Sequence, residues 1–381
     1  MNIDGSLQPA ASFELPVASR QLPAASRGTL SFVDVALFDF HLPPERIAQE
    51  PSADRESARL LVLDRTSGAI VAHSSMRALP DFLRRGDLLV VNDTRVFPAR
   101  LLGRRDPSGG AVECLLIRRL EADRWEALMH PGQKLHPGAR VVFQRDGLEL
   151  RAEVLEQHFH GRRTIRLWSD VGGDVDAVVD AIGHMPLPPY IHRPDDPQDR
   201  ERYQTVYARA RGSVAAPTAG LHLTRGLIDR LAAAGVERTA ITLHVGYGTF
   251  KPVRVAQVEE HRVDAEVFDV SAAAASAINA AAVDGRRVIA VGTTTTRALE
   301  TSGERGDGRV AAGSGTSELF IRPGHRFTVV GGLMTNFHLP RSSLLMLVCA
   351  FAGREAVLGA YREAVDRGYR FYSYGDAMLI L

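Results

Sequence analysis

Between Ala99 and Trp168 apolar residues recur in short alternating runs such as Val112-Glu113-Cys114-Leu115-Leu116-Ile117, parted by Gly109-Gly110, Pro131-Gly132, Pro137-Gly138 and Asp146-Gly147. Alternation turns one face of a strand to a core and the other to water, and glycine or proline pairs reverse the chain between strands. The stretch therefore predicts a small antiparallel β-barrel. The chain on either side follows a different pattern, so the barrel is expected as an insertion.

Before it, Arg59-Leu60-Leu61-Val62-Leu63-Asp64 has strand length, with the strand expected at 60–64. A short helix is expected around Asp81 to Leu83, then a buried strand from Leu88 to Val91 ending in polar Asn92-Asp93-Thr94-Arg95. After the insertion, Pro186-Leu187-Pro188-Pro189-Tyr190 is too proline-rich for a helix or central strand and should cross between domains extended. From Leu221 strands and helices alternate: helical spacing at Leu227 to Ala234, a strand at Thr239 to Val245, an alanine-rich helix at Ser271 to Val283, and a strand at Val288 to Val291. Gly292 reads as the following turn, with Arg297-Ala298-Leu299-Glu300 opening the next helix. The fold class expected is α/β, a larger α/β domain with a small inserted antiparallel β-barrel. Residues 1–30 read as a loose, Ala/Ser/Pro/Gln-rich tail, 31–98 plus 171–381 as a discontinuous α/β domain, and 99–170 as the insert.

The 381 residues are 45% hydrophobic and 24% charged, enough for a large core. The longest apolar run, Leu344 to Gly353, is half the roughly 20 residues needed to span a bilayer, so it belongs in a core. No secretory signal is legible, which places the chain in the cytoplasm, and a monomer is expected. Cys114 and Cys349 have no neighbouring ligand partners, so both read as buried, reduced fillers and no metal is expected. A net charge of +1 gives no global pull on nucleic acid. Residues 95–170 carry 14 Lys plus Arg against 10 Asp plus Glu, a modest excess that also describes a solvated strand face.

Four polar segments can carry chemistry. In Gly212-Ser213-Val214-Ala215-Ala216-Pro217-Thr218-Ala219-Gly220-Leu221-His222 the small residues let a backbone approach a ligand, although a tight turn packed under a helix gives the same composition. In Thr242-Leu243-His244-Val245-Gly246-Tyr247-Gly248-Thr249-Phe250 a strand ends at two glycines that can admit a flat ring; a satisfied core histidine reads His244 equally well. Gly292-Thr293-Thr294-Thr295-Thr296-Arg297 offers hydroxyls and amides at a helix start, suited to an anion, or simply an N-cap. Thr335-Asn336-Phe337-His338-Leu339-Pro340 is a polar loop before the buried run.

In their order these blocks resemble one family. The similarity to the S-adenosylmethionine:tRNA ribosyltransferase-isomerases of queuosine biosynthesis rests on Arg59 to Leu63, Asn92 to Arg100, Met185 to Ile191, Tyr203 to Ala208, Ser213 to His222, Leu243 to Phe250, Gly292 to Glu300 and Thr335 to Leu347. It covers about residues 36–381. It implies a β-barrel inserted in an α/β domain and transfer of the ribosyl part of S-adenosylmethionine to 7-aminomethyl-7-deazaguanine in tRNA, with release of adenine and methionine. Three places depart: where the family reads His-x-Met-His-Ser-Glu, this chain has His261-Arg262-Val263-Asp264-Ala265-Glu266; Leu223 replaces the usual phenylalanine after His222; and the usual acidic residue near Gly331-Gly332 is missing. The first departure keeps two other readings open, a relative that ribosylates a different acceptor and a catalytically silent RNA-binding relative.

For the implied reaction a base near neutral pH is needed, and His244 or His222 is the candidate, with Asp264 and Glu266 as orienting or substitute carboxylates. Arg297 with the Thr293 to Thr295 amides is expected to hold the methionine carboxylate. Tyr203, Tyr247 or Phe250 is expected to stack on a ring. Thr218, Gly220, Gly246, Gly248, Asn336 and His338 complete the expected substrate pocket. Arg95, Arg100, Arg104, Arg105 and Lys134 are the candidates for tRNA phosphates.

Overall fold

A computed structural model describes residues 33–169, 174–250 and 252–381. The expected tail at 1–30, the boundary placed at 170/171 and the side chain of Phe250 lie outside the described residues.

One mixed sheet of nine strands forms the main body. Its order is Gly313–Ser317, Glu266–Val270, Glu237–Leu243, Leu88–Asn92, Val288–Val291, Gly332–Asn336, Ala377–Ile380, Arg59–Leu63 and Ile70–Ser75. The four strands from Glu237–Leu243 to Gly332–Asn336 run parallel. Strands covered on both faces need apolar residues at every position, which is why they read as continuous runs. Leu61, Leu63, Leu88 and Val90 face one core with the helices Ala272–Val283, Ser343–Ala352 and Arg354–Asp366, whereas Leu60, Val62, Leu89 and Val91 face another with Arg225–Ala233.

The helix starts follow local chemistry. Ser342 caps Ser343–Ala352 by accepting from Leu345 N–H, and Ser271 and Thr224 do the same for their helices. The run read as core is that first helix, buried along its length. At Gly353, with φ of 85°, it turns by 117° into Arg354–Asp366. No single helix among the described residues is long and apolar enough to cross a membrane.

The alternating stretch closes into a six-stranded antiparallel barrel ordered Arg162–Trp168, Arg124–His130, Ala111–Arg119, Arg100–Asp106, Arg140–Arg145 and Leu148–Gln157. Val112, Cys114, Leu116, Trp125, Ala127 and Met129 point inward, and Val178, Val179 and Ile182 of the helix Val175–Ile182 close the core. Cys114 and Cys349 are buried free thiols, as expected. Close to the junction, Thr94–Val96 pairs in parallel with Ala210–Ser213, and Arg100 bridges His184.

Candidate active site

The four parallel strands bring their carboxyl ends together, the place where open α/β sheets receive ligands. Asn92 to Thr94, His244 to Thr249, Gly292 to Arg297 and Asn336 to His338 all emerge there, although they come from widely separated parts of the chain. Two narrow cavities adjoin at this edge and share Thr249 and Leu344. Asp264, Glu266 and Arg297 line the first; Thr218, Thr293, Thr294, Asn336, His338 and Ser373 line the second.

Glu266 organises the first cavity. One carboxylate oxygen accepts from Arg297 Nη1 at 2.7 Å, the other from Gly246 N–H at 3.2 Å and Thr249 Oγ1 at 3.1 Å. Arg297 Nε donates to the Leu319 carbonyl at 3.0 Å. Arg297, expected to meet a substrate carboxylate, is paired with a buried carboxylate of the protein while it lines the cavity. Asp264 Oδ2 accepts from Arg162 Nη2 at 2.9 Å, joining the last barrel strand to the main body. A Cβ on Gly248 would fall 2.5 Å from Asp264 Oδ2, so only glycine fits that close approach.

In the second cavity the helix Thr293–Arg305 begins four residues earlier than the Arg297 start read from sequence. Threonine is a poor helix former, and burial of the whole first turn overrides that preference. Thr295 and Thr296 hydroxyls donate back to the Val291 and Gly292 carbonyls at 2.8 and 3.1 Å, leaving Thr293 and Thr294 to face the cavity. Asn336 is 3% exposed; its Nδ2 donates to the Tyr372 carbonyl at 3.0 Å and meets His222 Nε2 at 3.2 Å. Its Oδ1 is buried with no partner in the protein, an acceptor open to a ligand donor.

The three histidines differ. His222 lies behind Asn336, and burial, then the Arg370 and Arg55 charges, pushes it down to about 4. His338 is pushed down to about 3 by burial and joins Thr335 Oγ1 through Nε2 at 2.9 Å. His244 stands one residue beyond its strand, lowered by burial against an opposing pull from Asp93. Its Nδ1 meets Thr94 Oγ1 at 2.9 Å, and Thr94 Oγ1 also reaches the Ala210 carbonyl at 3.3 Å. A hydroxyl has one proton; given to the carbonyl, it makes Nδ1 the donor to Thr94 and leaves Nε2 with a lone pair. His244 lies against the Ala210–Ser213 strand, where a Cβ on Gly212 would come within 2.6 Å of its ring, and it is not among the residues lining the two cavities.

Other expected residues are dispersed. Tyr203 is fully buried against Tyr374, ring centroids 5.8 Å apart, so no face remains for stacking on a substrate ring. Gly220 packs on Tyr207, whose hydroxyl lies 2.1 Å from where a Cβ would sit. Tyr247 faces the barrel. Arg100 is held by Glu113 at 2.7 Å, while Arg104 donates to Gly109 O at 3.3 Å at the hairpin end of its strand, roughly 14 Å along from Arg100. Arg105 shares that hairpin end; Arg95 and Lys134 are exposed, Lys134 on the turn Gly132–Lys134. Sequence reasoning misses Thr94 as a histidine partner, Arg162, and Tyr372, whose φ of 73° no sequence signal marks. Among the described residues no group of three metal-ligating side chains is clustered.

Fold and strand-end cavities together define a ligand-binding α/β protein with an inserted barrel. A family model described as "Queuosine biosynthesis protein" matches residues 35–380, and the chain belongs to that family. It is 53% identical over 349 residues to the S-adenosylmethionine:tRNA ribosyltransferase-isomerase of Heliobacterium modesticaldum, covering 92% of this chain and 100% of the relative. The relative of the same name from Symbiobacterium thermophilum is 54% identical over 344 residues, covering 90% and 98%. Among solved structures, the S-adenosylmethionine tRNA ribosyltransferase of Thermotoga maritima is 37% identical with a TM-score of 0.51, covering 91% of this chain and 100% of that one.

Proposed function

We propose that the protein transfers and isomerises the ribosyl moiety of S-adenosylmethionine onto 7-aminomethyl-7-deazaguanine in tRNA, giving epoxyqueuosine-tRNA with release of adenine and methionine. The observation that carries this reading is the convergence of all four family blocks on one strand-end pocket in a chain similar over its whole described length to enzymes of that name.

The sulfonium acidifies the ribose methylene beside it, so a neutral imidazole can take a proton there and adenine can leave. We assign that step to His244, whose fixed Nδ1 leaves Nε2 as the acceptor. His222 has its Nε2 engaged by Asn336 and acts by orienting that amide. The Thr293 and Thr294 amides receive the methionine carboxylate at the helix start, and Asn336 Oδ1 accepts from a ligand N–H. The incoming amine attacks in its uncharged form, which a desolvated pocket favours, and methionine leaves as the epoxide closes. Residues 31–98 with 171–381 form the catalytic domain and 99–170 the tRNA-contacting insert, working as a cytoplasmic monomer without a metal. Mixing the protein with S-adenosylmethionine and precursor-bearing tRNA should release adenine, and His244→Ala should abolish it with the melting curve intact. No adenine from the wild type would refute the activity; full turnover by the variant would refute the role of His244.

A further inference from the structure

A larger cavity, about 890 Å³, lies outside the strand-end pocket on the barrel side. Its walls come from the turns Gly132–Lys134 and Phe159–Gly161, and it reaches Tyr247. A second cavity of about 250 Å³, beneath the Pro186 to Pro189 segment, shares Glu113, Leu115 and Tyr247 with it, so the two make one trough. Tyr247 opens the turn whose Gly248 and Thr249 line the acidic cavity. One turn therefore separates the trough from the strand-end pocket.

Phe159 stands at the trough's edge with 88% of its surface in water. It is held out by a built turn. His160 and Gly161 take φ of 57° and 80°, and His158 Nε2 meets Thr164 Oγ1 at 2.9 Å. The buried guanidinium of Arg163 donates to Gly132 O at 2.7 Å, Leu135 O at 2.8 Å and Arg162 O at 2.7 Å, stapling both walls together. The rim is imidazole-rich, with His130 and His160 exposed, and Lys134 is exposed at the end of the adjoining turn. Glu113, the acid in the larger cavity's lining, is matched by Arg100. An exposed aromatic on a rigid turn, beside donors and cations, presents a stacking face to a nucleobase.

We infer that the trough seats a single-stranded segment of the tRNA flanking the modified guanine, with Phe159 stacked on one of its bases. This rests on the proposed transfer to tRNA. A base buried in a duplex stack cannot enter the strand-end pocket, so its neighbours must be held unstacked along the approach, and the Tyr247–Phe250 turn joins a wall of the trough to a wall of that pocket. A protein partner would ask for an apolar rim, which the histidines and Lys134 do not supply.

The test uses precursor-bearing tRNA with 2-aminopurine placed beside the modified guanine. Wild-type protein should quench its fluorescence. Phe159→Ala should lose the quench and weaken tRNA binding roughly five- to hundredfold, the span expected for one lost base stack. Phe159→Trp should keep both, and calorimetric binding of S-adenosylmethionine alone should be the same in all three proteins. Wild-type quench and affinity in Phe159→Ala would overturn the inference and leave the ring to a protein or a second copy; so would Phe159→Trp behaving like the alanine variant. Binding is read separately from adenine release. Absent release by the wild type sinks the transfer reading, whereas release with an unaltered tRNA KM in Phe159→Ala sinks this placement alone.

Discussion

The Arg297–Glu266 pair is the most consequential electrostatic contact at the site, and its strength can be measured. The side chains are 8% and 3% exposed with 2.7 Å between Nη1 and Oε2. At an effective dielectric near 20, unit charges about 4 Å apart attract by about 4 kcal/mol, and desolvation of both ions offsets much of that. Removing one partner is different, because the other stays buried without a counter-charge; such breaks cost about 3–5 kcal/mol. Arg297→Met and Glu266→Gln should each destabilise the protein by that amount. The double variant should be less destabilised than the sum by about 2 kcal/mol or more, since no lone ion remains. The glutamine amide would still offer a carbonyl oxygen to Gly246 and Thr249, so the cycle isolates the charge. Urea unfolding at neutral pH supplies the four free energies. Additivity within about 0.5 kcal/mol would show that the pair is not coupled and that the site's organisation has been misread.

Three further outcomes follow from the geometry. His222 and His338, pushed down to about 4 and about 3, stay neutral when folded, whereas the unfolded chain takes up a proton near the usual 6.5. Their contribution to stability is complete above pH 6.5 and falls by about 1.4 kcal/mol per pH unit per histidine as pH drops toward the folded values. His338→Gln should flatten the stability-versus-pH slope by one proton between pH 6 and about 4, and an unchanged slope would rule the assignment out. Thr94→Val removes the hydroxyl that fixes His244 Nδ1 and should slow single-turnover adenine release by about tenfold or more, with Thr94→Ser restoring it; equal rates in all three would discard the tautomer argument. Arg163→Met leaves the Gly132 and Leu135 carbonyls without their donor and should destabilise the barrel by about 3 kcal/mol, seen as faster amide exchange at 132–136; native protection there would contradict it.

The barrel is legible in the sequence because alternation and turn pairs are local signals, and its closure follows from the same inward set that reads as every second residue in Val112 to Leu116. The α/β body is legible in kind but not in order. Leu88–Asn92 pairs with Glu237–Leu243 and Val288–Val291, strands more than a hundred residues away, and nothing in a single strand's composition names its neighbour. The candidate site shares that fate: each polar block is ambiguous alone, and the sheet order is what brings them together. The partner of Arg297 is hidden for a related reason, since Glu266 lies 31 residues away on a strand packed beside its helix. Tyr203 is misread because an aromatic beside a binding block and an aromatic in a core look alike until burial is known.

The altered block at 261–266 takes on a different sense in the folded chain. A histidine where Asp264 stands would be a candidate base, and its loss would argue against activity. Asp264, however, meets Arg162, and Arg162 also holds Glu126 at 2.9 Å, so the acid links the last barrel strand to the segment that carries Glu266. The bridge is about a third exposed on each side, and pairs of that kind add under about 1 kcal/mol to stability. Its effect is therefore positional. It ties the last barrel strand to the segment that carries Glu266, and Glu266 in turn accepts from Gly246 N–H and Thr249 Oγ1. His244, a separate imidazole, keeps its own Thr94 anchor. Asp264 thus serves as a tie between barrel and main body, and the departure at that position does not touch the Thr94–His244 contact.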